Sequence, residues 1–133
     1  MSARRYAATQ VAVATPRETE LRAFRFVNGL LAGANEDLRA RTNALHKTHH
    51  LWAILLAGLL SPGNALPQDL RGNLVSLGLW AQKEAMARIG TDASLEPLMA
   101  LHRDMIEALE SQALAERPMP PPARLADRLA TSA

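Results

Sequence analysis

Three of the chain's four histidines stand together in "HKTHH", as His46, His49 and His50. The spacing i, i+3, i+4 puts His46 one helical turn from the other two, which suits a pair of imidazoles binding a metal. Zinc needs more than a pair. Three or four ligands must converge on one ion, and hydrolytic zinc also needs an acid or base beside it. No acid lies between Asp37 and Asp69, and the Glu of an HExxH motif is missing. On a helix His49 and His50 point about 100° apart. The expectation is boundary residues on an amphipathic helix and no metal. His102 falls in the middle of an apolar stripe. It is expected as a core or groove-edge histidine with one hydrogen-bond partner.

Other chemistries find no footing. The chain has no cysteine, which excludes disulfides, thiolate ligands and thiol nucleophiles. No Ser-His-Asp arrangement, isolated carboxylate pair, GxGxxG or P-loop is present. The sequence reads as a non-enzyme without a cofactor.

The elements that position these residues are helices. Hydrophobic residues make up 48% of the chain but aromatics only 4%, so the core must come from Leu, Ala, Met and Val. Leu, Ala and Met favour helix, and alternating β-branched runs are absent. Lys and Arg number 15 against 13 Asp and Glu, scattered without a dense basic strip, so nothing marks a nucleic-acid site. Residues 51–60 are apolar but fall well short of the roughly 20 residues that span a bilayer. "MSARRYAATQVAVATP" has no leucine-rich signal core. A cytoplasmic location is the resulting expectation, and the lack of cysteine fits it.

Capping chemistry divides the chain. Thr15-Pro16-Arg17-Glu18 is a helix start, with Thr15 as cap, Pro16 at the first position and Glu18 closing a capping box. This helix carries Leu21, Phe24, Val27, Leu30 and Leu31 inward and ends near Gly33, with Asn35 capping the next. The second runs from about Glu36 to Leu60, its core stripe being Leu38, Leu45, Trp52, Leu55, Leu56 and Leu59. "SPGN" ends it, Asn64 bridges the turn, Leu66 packs as a staple and Pro67 opens the third helix. The third runs to about Ile89, with Gly90 past its end. Asp92 or Ser94 starts a fourth, which ends near Ala115 and turns Leu95, Leu98, Met99, Met105, Ile106 and Leu109 inward. The result is an all-α antiparallel bundle of four main helices over residues 1–116, with a possible short helix near Tyr6. Residues 117–133 form a Pro-rich tail: Pro118 to Pro122 is a polyproline spacer, and a short amphipathic turn from Leu125 to Leu129 comes after it.

The third helix has apolar residues on two sides. Leu70, Leu74, Leu77, Ala81 and Ala85 form the expected core stripe, and Val75, Leu79 and Met86 lie across from it. Ile54 likewise stands across from Trp52. Two apolar sides mean a helix central in the bundle, the plainer reading, or a groove offered to a partner helix.

The order "PRETE", then Asn43 with Leu51-Trp52, then "NALP", then "LRGNLVSLGLW" resembles the FlaF family of alphaproteobacterial flagellar proteins. The residues carrying the resemblance are Pro16, Arg17, Glu18, Thr19, Glu20, Asn43, Leu51, Trp52, Asn64, Leu66, Pro67, Leu70, Arg71, Leu74, Ser76, Leu77 and Trp80. It covers roughly residues 4 to 110, and the tail from Pro118 departs from it. The resemblance implies a small helical cytoplasmic protein needed for flagellin synthesis and filament assembly. Its partners would be flagellin, held as by a secretion chaperone, and FlbT, a repressor of flagellin translation. Val75, Leu79, Met86 and Ile54 are the positions expected to meet a partner. The alternative is a post-transcriptional regulator that binds RNA or FlbT without touching flagellin. Few aromatics and no basic strip speak against direct RNA binding.

Overall fold

The computed structural model describes residues 16–116. Thr15 with its proposed cap, the segment around Tyr6 and the Pro-rich tail lie outside them. Four helices occupy the described residues: α1 (Pro16–Ala34), α2 (Leu38–Leu59), α3 (Gln68–Arg88) and α4 (Glu96–Glu116). No strand occurs among these residues. The fold is the expected all-α bundle.

Local chemistry explains most of the boundaries. Asn35 takes a left-handed φ of 48°, which stops α1; Asn tolerates that region better than most residues. It is therefore the end of α1 and not the cap of α2. The cap is Asp37, whose side chain accepts the Ala40 N–H at 2.9 Å. The α2–α3 turn is held by Asn64 as expected. Its Nδ2 donates to the Gly58 carbonyl at 3.1 Å, and its Oδ1 accepts the Leu66 N–H at 3.0 Å. Gly90 has φ +76°, the left-handed residue after α3. Between the two starts proposed for α4, Ser94 is the one used: its Oγ accepts the Glu96 N–H at 3.1 Å.

α1 packs against α2 and α4, and α2 packs against α3 on its other side. α3 and α4 scarcely approach one another. α3 is thus a peripheral helix seated on one neighbour, and the central-helix reading fails. The seat is unusually close. Gly78, Ala81 and Ala85 are its fully buried residues. A Cβ at Gly78 would stand 2.9 Å from Leu56 Cδ2 and 3.1 Å from Trp52 Cε3. Small residues let the two backbones approach and leave α3 little depth to bury its leucines.

Three expected core positions move outward for that reason or for lack of a neighbour. Leu70 and Leu77 are exposed on α3, and Leu38 lies in the first turn of α2 with 60% of its surface in water. The remaining stripes hold. Leu21, Phe24, Val27 and Leu31 of α1, Leu45, Trp52, Leu56 and Leu59 of α2, and Leu95, Leu98 and Leu109 of α4 are buried.

Candidate functional site

The histidines separate into two kinds. His46 and His50 are exposed and His49 is half-buried. Among the described residues no group of three or more potential ligands stands together to hold a metal ion. His102 is fully buried. Its Nε2 accepts the Trp52 Nε1–H at 3.1 Å. Accepting there places its proton on Nδ1. Phe24 meets both rings edge-on, at 5.5 Å from Trp52 and 5.4 Å from His102. The three rings join α1, α2 and α4, and Gly78 brings α3 onto Trp52. Burial lowers the His102 imidazole from 6.5 to about 4. A neutral ring enclosed by hydrocarbon is a core element, and this one has the single partner expected of it.

Arg41 carries no mark in the sequence. It is buried, and its Nη2 donates to the Thr91 carbonyl at 3.0 Å and the Ala93 carbonyl at 2.7 Å. One guanidinium on α2 thus pins the α3–α4 connection. A lone Arg in a polar stretch gives no signal for such a role.

Among the described residues α3 carries more large exposed apolar side chains than any other helix, with Phe26, Leu60 and Leu114 standing outside it. Two apolar flanks border its packed face. One holds Val75, Leu79 and Met86: Leu79 is 57% and Met86 46% exposed, while Val75 is half-buried. This flank borders α2, because Gln82, between Leu79 and Met86, donates to the His49 carbonyl at 3.2 Å. Ile54, 58% exposed, lies on the outer side of α2. The other flank holds Leu70, Leu77 and Trp80, all exposed. Counting α3 residues as core from their spacing misses this second flank. The signal for it is the Gly78, Ala81, Ala85 series, whose small side chains mark the seam.

The residues that carry the family resemblance are largely structural. Pro16 opens α1, and Arg17 pairs with Glu20 at 3.3 Å. Trp52 is the ring at the centre, Asn64 ties the turn, Leu66 is half-buried, and Pro67 precedes α3. Trp80 instead faces water along one edge.

The family model for "Flagellar protein FlaF" matches residues 2–109. The chain belongs to the FlaF family. Its role is therefore connected with the flagellum. No curated protein and no solved structure matches the chain. No helix among the described residues is long and apolar enough to cross a membrane. In this FlaF-family chain the match stops inside α4, so the tail lies beyond the family's shared part.

Proposed function

We propose that this FlaF-family chain binds flagellin in the cytoplasm as a secretion-chaperone-like partner. By doing so it promotes flagellin synthesis and filament assembly, in concert with FlbT. The role is recognition, without catalysis or a cofactor. The observation that carries this reading is the exposure of Leu79 and Met86 on a helix supported from one side only. Flagellin termini are amphipathic helices that polymerise when bare. An apolar seam would cover such a helix, at roughly 25 cal/mol per Å² of apolar area removed from water. Ordering the partner takes back much of that gain. Methionine suits a surface of this kind, since its flexible thioether adapts to an irregular neighbour.

Co-purification with flagellin and with FlbT, each alone, tests the reading. Stoichiometric capture of flagellin without FlbT is the expected result. Capture of FlbT alone would replace it with the regulator reading. If RNA were retained instead, the steepness of its salt dependence would separate phosphate attraction from a specific site.

A further inference from the structure

The Leu79 flank of α3 and the edge of α2 beside it form one surface, and two contacts fix how they lie. Gln82 donates to the His49 carbonyl at 3.2 Å, and a Cβ at Gly78 would meet Leu56 and Trp52. Residue numbers therefore rise along one helix as they fall along the other. Ala53, one turn after His49, comes level with Leu79, and His46, one turn before His49 and His50, comes level with Met86. Leu79, Met86, His46 and His50 are exposed, and Ala53 is half-buried. From Val75 to Met86 this seam is about 16 Å long, the length of a helix of about three turns.

The chemistry of the seam changes along its length. Beside Val75 and Leu79 the α2 edge is Ala53 and Ala57, with Ile54 exposed outside them. Beside Met86 it is His46 and His50, with Lys47 next to them on the outer surface of α2. On α3, Lys83 is exposed between Leu79 and Met86. No carboxylate of either helix answers these groups. α2 contains no Asp or Glu. On α3, Asp69 lies in the first turn, more than three turns before Lys83, and Glu84 is paired with Arg88. Neither Lys47 nor Lys83 has an ion-pair partner among the described residues. One end of the seam is thus apolar throughout, and the other is basic on both rims.

We propose that the seam takes an amphipathic helix of the partner whose apolar stripe is bordered by carboxylates toward one end. Those carboxylates meet Lys47 and Lys83, with His46 and His50 as further donors. Charge complementarity selects this occupant from among apolar helices. A nucleic-acid strand suits the seam less, because Leu79 and Met86 give phosphates no partner between the two rims. The inference rests on the reading of this seam as the binding surface and adds which helix it selects.

Two synthetic helices of about 18 residues, long enough to hold structure in water, serve as probes. They share one leucine stripe and differ only in the residues bordering its last turns, Glu in one and Lys in the other. The full chain should bind the Glu helix several-fold more tightly at low salt, and the preference should shrink as salt screens it. Lys47→Gln with Lys83→Gln, both at exposed positions, should remove the preference and leave the melting temperature unchanged. No binding of either helix, equal affinities, or a preference that survives the double substitution would overturn the proposal. So would displacement of the Glu helix by a poly(U) strand, which would assign the lysines to phosphate. Capture of flagellin is a separate readout. A preference for the Glu helix without capture of flagellin would sink the flagellin reading and leave the selective seam in place.

Discussion

Trp52 Nε1 donates to His102 Nε2 at 3.1 Å, and both rings are out of contact with water. The bond crosses from α2 to α4, two helices whose backbones do not otherwise approach closely. Trp52→Ala removes the ring under Gly78, the edge contact to Phe24 and the donor to His102 together. Truncating a buried Trp in this way should cost about 3–5 kcal/mol. Trp52→Phe keeps most of the volume and leaves His102 Nε2 without its donor, at about 1–3 kcal/mol. Urea titrations of the three proteins check the ranking. A Phe variant as stable as the parent would show that the hydrogen bond contributes nothing net.

The same pair predicts an acid sensitivity. In the unfolded chain His102 takes up a proton near 6.5, but in the fold only near 4. Between those values the unfolded state binds more protons, so stability falls as pH falls. The contribution is intact above pH 6.5, declines to pH 4 and changes no further below it. Its full extent is roughly 3 kcal/mol. His102→Gln keeps an acceptor for Trp52 and cannot titrate. The difference in stability between parent and variant should narrow or reverse as pH drops from 7 to 4.5. Parallel curves would exclude His102 as the source.

Two glycines of α3 should respond to alanine with opposite signs. At Gly78 the new methyl meets Leu56 Cγ at 3.0 Å and Cδ2 at 2.9 Å, so α3 must lift from α2. Overpacking of this kind costs about 1–3 kcal/mol and outweighs the gain in helix propensity. Nothing lies within 4 Å of a Cβ at Gly72. There the propensity gain stands alone, at about 0.5–1 kcal/mol of added stability. Melting temperatures of Gly78→Ala and Gly72→Ala moving in the same direction would contradict the packing described.

Helix number, order and most boundaries are legible from the sequence because they depend on nearest neighbours: Asn64 and its turn, Gly90 past α3, the stripe from Leu95 to Leu109. The third helix is harder. Leu70, Leu74 and Leu77 share a spacing with Ala81 and Ala85, and periodicity alone assigns all five to one buried face. Which of them is buried depends on how many helices stand beside α3, a tertiary fact. Leu38 fails similarly, at the right phase but one turn outside its neighbours. Asn35 and Asp37 are both good caps, and the left-handed φ at Asn35 decides between them. The apolar surplus on α3 can be read from the sequence, but not the exposure of Leu70 and Leu77 on its second flank.

Arg41 should prove more important than its place in a polar stretch implies. Arg41→Met keeps the stem and loses both bonds to the Thr91 and Ala93 carbonyls. Hydrogen bonds from a charged donor contribute about 1.5–3 kcal/mol. The loss should loosen the turn that sets where α4 begins. Amide exchange at residues 90–96 should accelerate more than exchange in α1. Uniform acceleration would mean that the variant acts on global stability and not on the turn.

The seam proposed to receive flagellin is open to a charge test. Leu79 is 57% exposed and stands on the flank of α3 that borders α2. A carboxylate there stays in water in the free protein, so Leu79→Glu should leave the melting temperature nearly unchanged. On binding an apolar helix the same carboxylate would have to be stripped of water against hydrocarbon, with no partner charge. Capture of purified flagellin should therefore fall by an order of magnitude or more while folding is spared. Met86→Glu, about two turns further along the same flank, should act in the same direction. Leu77→Glu on the opposite flank serves as the control for a charge placed on α3 in general, and should leave capture intact. If Leu79→Glu captures flagellin as the parent does, the seam beside α2 is not the binding surface. If Leu77→Glu is the variant that loses capture, the flagellin helix occupies the opposite flank of α3.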